Sequence, residues 1–162
     1  MKISTLVLIA LAILAILLVA AAIAKRKKGD SESGPWPFYP RKILSQPEQI
    51  LFHRLVKALP NHIILAQVQL SRALGVKKGF NFHEWNNRIN RMSLDFVICG
   101  KDSSIILAVE LDDSTHERKD RVEADTKKLR ALSAAGVPLV RWSVQNLPDE
   151  TAILSALPKT TA

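Results

Sequence analysis

From Ser45 onward the chain alternates between two hydrophobic periods. Ile50, Leu51, Leu55, Val56 and Leu59 recur at helical spacing, which predicts an amphipathic helix ended by Pro60-Asn61. Its start reads as a capping box, with Ser45 as N-cap, Glu48 three residues on and Pro47 in the first turn. Residues 62–70, HIILAQVQL, then read as a strand. Residues 71–92 are polar and basic, broken by Gly75 and Gly79, with one helical turn expected around HEWNNRI. SLDFVIC (93–99) and SIILAVEL (104–111) are strands separated by GKDS, the mark of a hairpin. Over 115–135 the pattern is helical, with Val122, Leu129 and Leu132 on one side and Gly136 as C-cap. VPLVRW (137–142) is a last strand, and DETAILSAL (149–157) a short terminal helix. The order is helix, three strands, helix, strand. A strand–helix–strand passage requires a parallel pairing, so the expected class is α/β with a mixed sheet.

The N-terminal region has a different pattern. Ile3–Ala24 contains no charge, and 22 helical residues rise about 33 Å against a hydrocarbon core of about 30 Å. A cleaved signal peptide is the rival reading, since Ala22 and Ala24 resemble a cleavage site. The length of the run and the Lys25-Arg26-Lys27-Lys28 cluster after it favour an uncleaved single-pass anchor in the inner (cytoplasmic) membrane. Basic residues beside a span stay cytoplasmic, which puts the C-terminal domain in the cytoplasm. The expected division is therefore anchor 1–28, linker 29–44, domain 45–148 and tail 149–162. In the linker, prolines 35, 37 and 40 impose an extended path. Trp36, Phe38 and Tyr39 beside them are expected to pack on the domain, with lipid headgroups the other possibility.

Charge changes less than its total suggests. The formal value is +8. Lys2 and the four-residue cluster carry five of the positive charges, leaving 18 basic against 15 acidic residues, or +3. A balance of +3 permits nucleic-acid binding without requiring it. Cys99 is the single cysteine, so no intrachain disulfide can form, in keeping with a reducing compartment.

Chemistry concentrates where the second hairpin strand ends. Glu110, Asp112 and Asp113 lie within four residues, and His116 follows. Facing residues of a hairpin have numbers that add to a constant. A turn centred between Asp102 and Ser103 makes that constant 205 and sets Asp95 opposite Glu110, with Cβ atoms about 5 Å apart. Asp112 shares the face of Glu110 about 6.6 Å further on. Facing carboxylates repel unless a cation lies between them, and Mg²⁺ or Mn²⁺ held by one or two carboxylates is the economical answer. Asp112 is either a further ligand or a turn-forming residue. Asp113 and Ser114 suit the cap of the next helix.

The string DFVI at 95–98, ELDDSTH at 110–116, Asp125, Lys128 and AGVPLVR at 135–141 resembles an uncharacterised bacterial domain-of-unknown-function group. That group is placed in the PD-(D/E)XK, or restriction-endonuclease-like, nuclease superfamily. Very-short-patch repair endonucleases also look similar. The resemblance spans about residues 45–145 and implies a restriction-endonuclease-like core. It implies Mg²⁺-dependent phosphodiester hydrolysis in DNA, or secondarily RNA, with Asp95 and Glu110 on the metal and Asp112 assisting. Asp112 stands where the superfamily has lysine, so Lys128 or His116 would organise the attacking water. Glu48 resembles the acidic residue that many members bring from the first helix, although it is also the capping-box glutamate. His116 reads equally well as a helix-start residue, and Lys128 as a solvated helix lysine.

Residues 71–92 add Arg72, Lys77, Lys78, Arg88 and Arg91 against Glu84, interleaved with Phe80, Phe82 and Trp85. Cations among aromatics suit phosphates and unstacked bases. A solvated loop with its rings packed inward is the competing reading. Lys77, Lys78, Arg88, Arg91 and Arg141 are the expected nucleic-acid contacts. Two functions remain open: a membrane-anchored nuclease, or a catalytically inactive module of the same fold that tethers nucleic acid or protein at the membrane.

Overall fold

The computed structural model describes residues 2–29, 35–112 and 119–158, with side chains from 7 to 23 in the first helix and from 123 in the long helix near the C-terminus. The chain divides into two compact units, Met1–Arg41 and Lys42–Ala162. In the first unit, α1 (Lys2–Gly29) is one continuous helix of 28 residues. Its described side chains, 7–23, are exposed. Among the described residues no helix is long and apolar enough to cross a membrane. The expected span over Ile3–Ala24 thus finds no support among the described residues. Trp36, Phe38 and Tyr39 are exposed, and Trp36 meets Phe38 with ring centroids 5.8 Å apart. Prolines 35, 37 and 40 keep this stretch extended.

The second unit has the expected α/β order. It comprises α2 (Gln46–Ala58), β1 (Ile63–Gln69), the short α3 (Leu70–Ala73) and α4 (Phe82–Asn87), β2 (Ser93–Cys99), β3 (Ile105–Asp112), α5 (Lys119–Ala134), β4 (Leu139–Ser143) and α6 (Glu150–Ala156). The strands lie in the order β1-β2-β3-β4. β1, β2 and β3 form an antiparallel meander, and β4 runs parallel to β3 after the α5 crossover.

Two apolar clusters hold the sheet. One joins Phe96, Ile98, Leu107 and Val109 to Leu51 and Leu55 of α2 and Ile153 of α6. The other joins Val97, Cys99 and Ala108 to Leu70 and to Leu132 of α5. Each large side chain buried in this way contributes about 1.5–3 kcal/mol relative to exposure. α2 turns Leu51, Leu55 and Ala58 inward, leaving Ile50 and Val56 exposed. α6 is anchored by Ile153 and by Arg54, whose Nη1 donates to the carbonyls of Leu147 and Pro148 at 2.9 and 2.8 Å.

The hairpin register follows the sequence expectation by a less direct route. Near the turn Cys99 faces Ile105, a constant one lower than expected. The turn is closed by Ser103 N–H donating to the Gly100 carbonyl at 3.0 Å, with Ser103 at φ 67°. Ile106 is then an extra, bulged residue, and the pairs Ile98–Leu107, Val97–Ala108 and Phe96–Val109 return to 205.

α5 differs from its predicted inward face. Leu132 is buried but Leu129 is 43% exposed. The face toward the sheet continues from Leu132 to Lys128 and Asp125, at spacings of four and three residues. Its upper half is charged, so apolar periodicity could not place it. Gly136, at φ 70°, ends the helix as expected, and Val137 N–H reaches back to the Leu132 carbonyl at 3.0 Å.

Candidate functional site

The strand registers set four polar residues in one row across the sheet. β1 and β2 pair Ala66 with Phe96 and Val68 with Leu94, which leaves Gln67 opposite Asp95. The β2–β3 ladder ends at Phe96–Val109, and the next step of the same register sets Asp95 beside Glu110, where Asp95 Oδ2 takes the Leu111 N–H. Glu110 in turn is the partner of Arg141 on β4. Gln67, Asp95, Glu110 and Arg141 thus cross all four strands at one level, and α5 adds Lys128 and Asp125.

Glu110 is the one buried charged residue among those described, 6% exposed. Burial pushes its carboxyl above the usual range, and the Lys128 hydrogen bond opposes that. Lys128 Nζ pairs with Glu110 Oε1, and Arg141 Nη2 lies 3.6 Å from Oε2. Arg141 is itself gripped by Asp125, its Nη1 donating to Oδ2 at 2.8 Å and its Nη2 to Oδ1. That contact pulls the Asp125 carboxyl below the ordinary aspartate value.

Asp95 occupies a different environment. Its Oδ2 accepts the Leu111 backbone N–H at 2.8 Å, continuing the β2–β3 seam with a side chain. Burial is the main cause that raises its carboxyl, ahead of the lowering by the Leu111 amide. The negative charges of Glu48 and Asp112 add to the rise, and Lys128 works against it. Glu48 is fixed from both sides: Oε2 accepts from Ser45 N–H at 2.6 Å, the capping contact expected, and Oε1 accepts from the Gln67 amide at 2.7 Å. Gln67 has φ 53°, a left-handed conformation in the middle of a strand. Such backbone costs about 1–2 kcal/mol for a side-chain-bearing residue and gathers at functional positions.

Asp112 is exposed at the end of β3, and its carbonyl accepts from Val144 N–H at 3.0 Å. His116, Asp113 and Ser114 fall outside the described residues. Among the described residues no group of three or more histidine, cysteine or acidic side chains converges as a ready-made metal cage. The four expected ligands Asp95, Glu110, Asp112 and Glu48 therefore do not form a closed set. Asp95 and Glu110 come together, with Glu48 and Asp112 near enough to act on Asp95 by their charge.

That arrangement fits a divalent ion that needs one or two carboxylates. Two of the five acids, Glu110 and Asp125, are paired with Lys128 and Arg141. Asp95, Glu48 and Asp112 have no ion-pair partner among the described residues. The excess negative charge beside a partly desolvated carboxylate favours an added cation.

Gln67, and the pairing of Asp125 with Arg141, were not legible beforehand. A glutamine in a strand looks like any outward polar position. The i, i+3 spacing of Asp125 and Lys128 was the available signal for α5. Of the expected nucleic-acid contacts, Lys77, Lys78, Arg88 and Arg91 are exposed, whereas Arg141 is committed to Asp125 and Glu110.

Neither a curated protein nor a solved structure shows significant similarity to the chain. A protein family described as "Protein of unknown function (DUF2726)" matches residues 40–160, the whole of the sheet and the helices packed on it. The match covers most of the sequence, and the chain belongs to this family.

Proposed function

We propose that the chain is a membrane-anchored nuclease that hydrolyses phosphodiesters, with DNA as the first substrate and RNA as the second. The observation that carries this reading is the meeting of Asp95 and Glu110 from adjacent strands, both with raised carboxyls, under the ammonium of Lys128. The element order and the ELDDSTH string, similar to the PD-(D/E)XK superfamily, point the same way.

Each residue then has a role. Asp95 and Glu110 hold Mg²⁺ or Mn²⁺, and Glu48 and Asp112 deepen the local negative potential. Bound there, the ion supplies Lewis acidity to a phosphoryl oxygen and to the attacking water. Lys128 supplies from α5 the cation that Asp112 displaces from the usual strand position, and its ammonium donates a hydrogen bond to the water or to a phosphate oxygen. Arg141, oriented by Asp125, fixes the second oxygen of Glu110, which keeps the carboxylate from rotating away. For localisation, the uncharged run Ile3–Ala24 lies within one continuous helix, whose last turns carry the basic cluster Lys25-Arg26-Lys27-Lys28. Both features support an inner-membrane anchor with the domain in the cytoplasm.

The test uses the full chain in mild detergent with supercoiled plasmid and Mg²⁺ or Mn²⁺. Nicking and linearisation are expected, abolished by Asp95→Asn or Glu110→Gln. Lys128→Met should lower the rate by about 10²–10⁴ while metal binding persists. Cleavage that survives Asp95→Asn together with Glu110→Gln removes the assignment.

One observation favours a second reading. Lys128 and Arg141 already satisfy Glu110, as they would in a module that has kept the fold and lost catalysis. Such a module binds nucleic acid or protein without metal affinity, so calorimetry with Mn²⁺ separates the two.

A further inference from the structure

The connection between β1 and β2 sorts its side chains in an unusual way. Its aliphatic residues face inward: Leu70 is buried, and Leu74, Ile89 and Met92 pack against the α5-side cluster. Its base is tied down by Leu70 N–H donating to the Met92 carbonyl at 2.8 Å. The aromatics face water. Phe80, Phe82 and Trp85 are 59%, 56% and 41% exposed. Phe80 meets Trp85 edge-on at 5.9 Å, and the Arg88 guanidinium lies 4.2 Å from the centre of the Trp85 ring while paired with Glu84 at 2.6 Å. Around them Arg72, Lys77, Lys78 and Arg91 are exposed, with no acidic partner among the described residues.

We propose that this connection is a platform for single-stranded nucleic acid. Scattered exposed rings are ordinary, but rings gathered on one short connection make an apolar patch of the kind that binds a partner, and here they stand among cations. Unpaired bases stack on such rings for about 1–3 kcal/mol each, and the cations follow the phosphates. A continuous duplex hides its base faces and would gain only the charge. An anionic lipid surface also attracts cations and rings, but it draws in aliphatic side chains, and here those are turned into the core. The platform also lies at the right place. Gln69 pairs with Ser93 where the connection closes, and Asp95 follows two residues later, about 6.6 Å along β2. Resting on the nuclease reading for its second half, the inference makes the substrate of the Asp95–Glu110 site an unpaired strand or a flapped end.

The binding half is tested without metal, so cleavage cannot confuse it. The full chain in detergent is titrated in EDTA with dye-labelled oligothymidine and with a duplex of equal length, by fluorescence anisotropy. The expected result is preference for the single strand. Phe80→Ala, Phe82→Ala and Trp85→Ala should each weaken it by about 5–100-fold with duplex affinity little changed. Lys77→Ala with Lys78→Ala should weaken both and reduce the salt slope by about one to two. Unchanged thermal melting of the variants assures that the fold is intact. Equal affinity for duplex and single strand, or aromatic variants that bind like the parent, overturns the platform and leaves the nuclease reading standing. A lipid partner would overturn it too. Its sign is absence of oligothymidine binding, together with an emission blue shift when phosphatidylserine is added to phosphatidylcholine vesicles, a shift that Trp85→Phe removes. Single-strand binding with no cleavage in Mn²⁺ supports the platform and sinks the nuclease reading instead.

Discussion

Removing the Lys128 ammonium isolates the energetics on which the site depends. The Glu110 side chain is 8% exposed and that of Lys128 17%, so Lys128→Met leaves a desolvated carboxylate without its closest partner. Breaking a buried pair from one side costs about 3–5 kcal/mol. Arg141 remains, with Nη2 at 3.6 Å, but it is shared with Asp125 and compensates only in part. A loss of about 2–3 kcal/mol is therefore expected, which for a domain of this size lowers the melting temperature by roughly 6–15 °C. Glu110→Gln in the same background removes the stranded charge, so the double variant should regain at least about 1.5 kcal/mol. Urea unfolding of the four proteins of the cycle, followed by circular dichroism, gives the coupling directly. Additive single losses, or a Lys128→Met change below about 0.5 kcal/mol, would refute the claim that Lys128 compensates Glu110.

Asp95→Asn keeps a carbonyl for the Leu111 N–H while removing a charge opposed by burial, Glu48 and Asp112. Thermal melting should show a gain of about 0.5–1 kcal/mol alongside loss of cleavage, and destabilisation would count against the crowding of carboxylates. At position 67 the usual strand order should invert. Because φ is 53°, Gln67→Gly is expected to be about 1 kcal/mol more stable than Gln67→Ala in chemical denaturation, where an ordinary strand favours alanine. Asp125 has its folded pKa depressed by Arg141. Its contribution, about 1 kcal/mol at most for a side chain 37% exposed, is complete above the unfolded aspartate value near 3.9 and fades as pH falls through the folded one. Asp125→Asn and the parent should therefore differ at neutral pH and converge in acid unfolding curves; a gap that widens in acid contradicts the assignment.

Much of the frame was legible because it rests on local periods. Apolar runs bounded by turn residues marked the strands, the capping pair Ser45 and Glu48 marked the start of α2, and Gly136 marked the end of α5. The 205 register was also reached from sequence, although the bulge at Ile106 that restores it is a product of turn geometry at Ser103. What escaped was whatever depended on two elements meeting. Leu129 looked like core because apolar residues define a face only when the inward face is apolar, and α5 spends part of its inward stripe on Asp125 and Lys128. Gln67 carries no local sign of a positive φ, and its partner Glu48 sits on a different element. Arg141 read as a phosphate contact because its partner Asp125 lies sixteen residues away and approaches only once α5 crosses the sheet. The exposed Phe80, Phe82 and Trp85 were equally ambiguous, because ring exposure is a property of the folded surface.

The central claim is that Asp95 and Glu110 jointly hold a divalent ion, and crystals soaked in Mn²⁺ address it without reference to any substrate. Anomalous scattering recorded at the manganese edge should give a single strong peak between these two carboxylates, absent from Asp95→Asn crystals treated identically. A blank map in that space, with Lys128 still seated on Glu110, would contradict it.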